Sequence, residues 1–149
     1  MPIEQMTETG RPVNDLDIAR VERRFDCKLP EAYALFLKRH NGGTPEPDAF
    51  NGLRPSDEAL IHYFYSIDGD EHSDLIENAA FLREYHDVAP TMLPIARTQS
   101  GDAVCIGTAD DNHGKVYFWS HDAPVREKAT WLLAHDLDSF LATFHRIVL

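Results

Sequence analysis

The chain has 149 residues, 43% hydrophobic and 26% charged, which is enough for one domain with a sizeable core. Its formal charge of −11, from 14 Lys+Arg against 25 Asp+Glu, argues against holding nucleic acid or an anionic membrane on a basic surface. No apolar run reaches the length of a membrane span, and the opening MPIEQMTETGRP does not read as a secretory leader, because no basic segment precedes an apolar one.

Residues 1–13 are polar, include Gly10 and Pro12, and read as a flexible arm ahead of a single domain over 14–149. Asn14 or Asp15 can cap a first helix that reaches about Phe25, with Ile18, Val21 and Phe25 on its inward stripe. A short joint, Asp26-Cys27-Lys28, leads to a second helix in LPEAYALFLKRHNGG. Pro30 suits the first helical position, Glu31 sits at the positive end of the helix dipole, and Lys38, Arg39 and His40 sit at the negative end. Tyr33, Phe36 and Leu37 form one apolar face, and Asn41-Gly42-Gly43 should end the helix in a left-handed turn.

Prolines and turn signals make TPEPDAFNGLRPSD irregular, with a short strand around 49–53. Residues 60–67, LIHYFYSI, carry large apolar groups on both alternating faces, as a covered central strand would. An acidic turn, Asp68-Gly69-Asp70-Glu71, leads to a third helix over 73–85, with Ser73 as cap and Leu75, Ala79 and Leu82 inward. The period then changes to alternation. Strands are expected at 92–98 (with Pro94 near a start or an edge), at 103–108, at 115–121 and at 130–133. Asp136 caps a last helix whose face is Leu137, Phe140, Leu141 and Phe144. Helices at both ends and strands between predict an α+β fold: a single domain with a mixed, mostly antiparallel sheet flanked by helices.

Several stretches in this order carry a resemblance. Glu22, Leu29-Pro30, Tyr33, Phe36-Leu37 and Asn41-Gly42-Gly43 form an E-x6-LP-x2-Y-x2-FL-x3-NGG pattern. LPIA, SGDAVCIG, GKVYFWSHD and DLDSFL follow, in that order, from Leu93, Ser100, Gly114 and Asp136. The set resembles the SUKH superfamily, in its Smi/Knr branch, from about Asp15 to the end. The resemblance implies an α+β domain without general catalytic activity and without a cofactor. It implies a bacterial immunity protein that neutralises a toxin, often a nuclease, or a regulatory adaptor as in fungi. The motif positions would be scaffold and would not mark the partner surface.

Charge supplies the candidates for that surface. Residues 44–82 hold nine carboxylates and one cation, Arg54. Such a field either solubilises the chain or docks a cationic protein. The acids chosen as partner-binding are Asp68, Asp70, Glu71, Asp74, Asp110 and Asp111, with Tyr117 and Trp119 as aromatic anchors if their sheet face is open. The partner expected is a cationic protein toxin, met by a cytoplasmic monomer or weak homodimer. Two cysteines without CxxC or zinc spacing fit a reducing compartment with both thiols free. A thiol enzyme would need Cys105 with His121-Asp122 as its base. The alternation Asp68, Asp70, His72, Asp74 fails the requirements of a calcium loop, so an acidic turn entering a helix explains it better and no metal is expected.

Overall fold

The computed structural model describes residues 3–52, 57–125 and 128–147. It is an α+β fold of four helices and two antiparallel sheets. The first helices are α1 (Asp15–Phe25) and α2 (Glu31–Arg39), joined by the short segment 26–30. Asn14 caps α1 through a capping box: its side chain accepts from the Asp17 N–H at 3.0 Å, and the Asp17 carboxylate accepts from the Asn14 N–H at 2.9 Å. Ile18 and Val21 are buried as expected.

Pro30 is the N-cap of α2 and not its first helical residue; its carbonyl accepts from the Tyr33 and Ala34 N–H groups at 3.0 Å each. At the other end His40 is extended, and the left-handed turn follows within Asn41-Gly42-Gly43 as expected, at Gly42 (φ 70°). A Cβ on Gly42 would lie 2.7 Å from the carbonyl oxygens of Phe64 and Tyr65, so both space and φ require glycine there. The neighbouring Gly43 exchanges two backbone hydrogen bonds with Phe64, at 3.1 and 2.8 Å.

Asn41 performs a task beyond ending the helix. It is buried, and its side-chain amide donates to the carbonyls of Arg11 and Ile67 at 3.0 Å each. Its side-chain oxygen accepts from the Ile67 N–H at 2.7 Å. One residue therefore ties the N-terminal segment to the segment that leaves the central sheet.

That N-terminal segment is not a frayed arm from residue 3 onward, which corrects the expectation. The strand β1 (Gln5–Thr7) pairs antiparallel with β2 (Thr44–Glu46), and Ile3 and Val13 join the core. Burial of two apolar side chains and a ladder of backbone bonds offset the entropy that polar composition alone would leave unopposed. Met1 and Pro2 lie outside the described residues.

The main sheet has six strands in the order β3 (Ala49–Asn51), β4 (Glu58–Phe64), β5 (Met92–Thr98), β6 (Ala103–Gly107), β7 (Val116–Trp119) and β8 (Thr130–Ala134), each antiparallel to the next. The short strand expected at 49–53 is β3, and Leu53 falls outside the described residues. The 60–67 run begins and ends earlier as a strand than expected, and His62 is exposed, so one of its faces is partly open. Pro94 lies in an interior strand, but beside a register shift between Pro94 and Ala96, where the lost N–H is tolerated. The third helix, α3 (Leu75–Tyr85), starts after Asp74 and not Ser73. The last, α4 (Leu137–Leu141), is capped by Asp136, whose carboxylate accepts from the Ser139 N–H at 2.7 Å.

Alternation along β5, β6 and β7 sends side chains to two clusters. Leu93, Val104, Ile106, Val116 and Phe118 enter the main core with the inward faces of α1, α2 and α4. Met92, Ala103, Cys105 and Trp119 form a smaller cluster with Val88 and Leu82, at the far end of α3. Within the main core Phe50, Phe140 and Phe144 pack ring on ring, with centroids 5.1 to 5.7 Å apart.

Candidate partner-binding surface

The acidic turn between β4 and α3 is built by its own carboxylates. Asp68 takes positive φ and receives Arg11 at 2.7 Å and Arg20 at 3.0 Å. Arg11 also holds Asp17 through both its terminal nitrogens, at 2.9 and 2.7 Å. The Arg20 bond first, then Arg11, keeps the Asp68 carboxyl below its usual range. Asp68 thus fastens the turn to α1, and its charge is offset by two guanidinium groups. Asp74 is the N-cap of α3, accepting from the Glu77 N–H at 2.9 Å and the Gly69 N–H at 3.1 Å. Asp70 accepts at 3.0 Å each from the His72 N–H, the Ser73 N–H and the Ser73 hydroxyl. The Ser73 hydroxyl bond leads in holding its carboxyl low, so Asp70 stays ionised and exposed. Glu71 is exposed beside His72.

Asp70 and Glu71 line an open groove of about 760 Å³ between the turn, β4 and the entrance to β2. Glu8 adds a third acid, while His62, His72 and Arg97 supply basic groups. The Tyr63 hydroxyl donates to the His72 carbonyl at 2.8 Å and closes the groove's floor. Asp110 and Asp111 are exposed in a different turn, between β6 and β7. Asn112 fixes that turn, accepting from the Ala109 N–H at 2.9 Å and donating to the Thr91 carbonyl at 3.1 Å. His113 reaches the Lys28 carbonyl at 2.8 Å, just past the C-terminus of α1, whereas Asp68 is bonded near the start of α1.

Of the two aromatic anchors, Trp119 is 2% exposed and packs edge-on against His86, 6.3 Å between centroids. That burial removes it as a contact residue. Tyr117 is half-buried on the same face. The exposed aromatic surface lies elsewhere, on α3. Phe81 is 51% exposed and Tyr85 66%, their rings 5.2 Å apart, and Phe81 also meets His86 at 5.2 Å. The signal in the sequence was the run LIENAAFLREY, whose apolar residues encircle the helix instead of keeping to one stripe.

Cys105 is no nucleophile in this fold. It is fully buried in β6, and burial pushes its thiol far above the ordinary range. His121 pairs through its Nδ1 with Asp102, at 2.7 Å. Asp102, His121 and Asp122 bring three ligand-type atoms within 4.8 Å of one another. Asp102 is already shared between the ring and the backbone N–H of His121, and Asp122 accepts from Ser120 at 2.8 Å. The cluster is accounted for by its own hydrogen bonds.

The SMI1 / KNR4 family (SUKH-1) matches residues 12–143. An SPbeta prophage-derived uncharacterized protein, YokK, of Bacillus subtilis (strain 168) is 25% identical over 143 residues, covering 83% of this chain and 70% of that protein. Among the described residues, no helix is long and apolar enough to cross a membrane.

Proposed function

The chain belongs to the SMI1/KNR4 family (SUKH-1), and on that premise we propose that it is an immunity protein that binds and sterically neutralises a basic toxin. Members of this family are commonly toxin-immunity proteins or regulators, which act by binding protein partners. The observation that carries the reading is the distribution of charge. A chain at −11 concentrates nine carboxylates against Arg54 in residues 44–82. A nuclease toxin keeps a cationic groove for phosphates, and a polyanionic protein surface can occupy it and exclude the substrate. Such a protein acts in the cytoplasm, as a monomer or weak homodimer, and carries out no chemistry of its own.

The acids exposed for contact are Asp70, Glu71, Asp110 and Asp111; Asp70 also holds its own turn through His72 and Ser73, and Asp68 and Asp74 tie the turn to α1 and cap α3. The test uses the product of the neighbouring gene. Binding is measured with the unaltered chain and with Asp70→Lys/Glu71→Lys, and separately with Asp110→Lys/Asp111→Lys. Slower association and a shallower salt dependence in either variant support the reading. Unchanged rates and salt slopes in both remove these residues from the interface.

A further inference from the structure

We infer that the outward stripe of α3, with Phe81 and Tyr85 at its centre and Glu77, Glu84 and Asp87 around them, is the docking surface for an arginine- or lysine-bearing segment of a protein partner. The inference rests on the reading of a basic partner given above and names the surface that meets it.

Three observations converge on this stripe. First, Phe81 and Tyr85 are 51% and 66% exposed, although the sheet and core below them bury most other large apolar side chains. Residues four apart on a helix share a face, so Glu77, Phe81 and Tyr85 form one line. Second, the rings are in contact with each other and, through His86, with the buried Trp119. The patch is therefore seated on the packed sheet and costs little ordering on binding. Third, its rim is mainly acidic. Glu77, Glu84 and Asp87 are exposed. The cation of the helix, Arg83, is turned away: it lies over the Phe25 ring at 4.8 Å and donates to the carbonyls of Pro90 and Met92 at 3.2 and 2.7 Å. Arg24, over Phe25 at 5.2 Å, lines a shallow concavity with Arg83 and Glu84, so the cations border the stripe at Glu84.

Aromatic faces rimmed by carboxylates recognise a guanidinium or ammonium group twice, through the ring quadrupole and through the ion pair. An apolar partner would leave the rim acids desolvated and unpaired. A second copy of this chain would bring acids against acids. Neither fits as well as a cationic segment.

The experiment titrates the full chain with a hexa-arginine peptide at 0.15 M salt and follows backbone amide shifts by NMR, with hexa-aspartate as control. The expected result is shifts concentrated at residues 77–87, and an affinity weakened roughly 5- to 30-fold in Phe81→Ala/Tyr85→Ala. That variant replaces exposed side chains; an unchanged amide spectrum away from α3 establishes that it is folded. Shifts concentrated at the turns holding Asp70 and Glu71 or Asp110 and Asp111, or spread evenly over the acids, overturn the inference while leaving the basic-partner reading in place. Absence of any binding overturns both. Concentration-dependent self-association that the double variant abolishes overturns the cationic occupant in favour of a second copy.

Discussion

Replacing Asn41 with Ala removes three hydrogen bonds at one stroke. The side chain is 4% exposed, and its partners are the Arg11 carbonyl, the Ile67 carbonyl and the Ile67 N–H. The Ile67 N–H is the costliest to orphan, since Ile67 is fully buried and the shortest of the three bonds, 2.7 Å, ends there. An unsatisfied buried polar group costs about 1–3 kcal/mol, so Asn41→Ala should destabilise by roughly 2–5 kcal/mol once water reaches some of the carbonyls. Asn41→Asp separates donor from acceptor. It keeps an oxygen for the Ile67 N–H but faces two carbonyls with a carboxylate, so it should also destabilise. Urea unfolding at neutral pH measures both, and hydrogen exchange should show residues 3–11 opening first in the Ala variant. A loss below about 1 kcal/mol, with exchange in the N-terminal segment unchanged, would refute the claim that this side chain joins the segment to the sheet.

Other consequences are as direct. Phe140→Ala, which strips a ring 5.1 Å from Phe50 and 5.2 Å from Phe144, should cost about 3–5 kcal/mol in urea unfolding, and Phe36→Ala, 4.9 Å from Phe64, a similar amount. The imidazole of His145 is raised above its ordinary value by the Thr143 carbonyl and then by Glu58. Its contribution is thus complete below about pH 6.5 and is lost as pH rises through the higher native value. The Tm difference between the unaltered chain and His145→Gln should shrink from pH 5.5 to pH 8.5, and a constant difference would contradict the pairing. Cys105 should resist a thiol reagent in the native state and react only on unfolding, whereas half-buried Cys27 reacts first, as mass spectrometry of the labelled peptides would show.

Much of the fold was legible because it is locally encoded. The capping box of α1, the face of α2, the β5–β6 hairpin and the Asp136 cap each rest on residues a few positions apart. The misses are long-range. Nothing near Asp68 in sequence announces that Arg11 and Arg20 will offset its charge. A polar start gives no sign that Ile3 and Val13 reach the core. Tyr117 and Trp119 alternate as any half-exposed strand does, and only the placement of α3 and His86 decides that Trp119 is covered. For the surface, counting acids could not separate carboxylates that cap or tie the fold, such as Asp74 and Asp68, from those left exposed, such as Glu71. The exposed rings of α3 were readable in principle, since a helix apolar all round must cover something on both sides.

On the proposed function, the negative potential and shape of the exterior do the protein's work. The measurement closest to it is the association rate with the product of the neighbouring gene, from low to high ionic strength. The rate should fall steeply, about tenfold or more between 20 and 500 mM salt, with inhibition of the partner's activity that follows occupancy. A rate indifferent to salt in a complex that still forms tightly would contradict it.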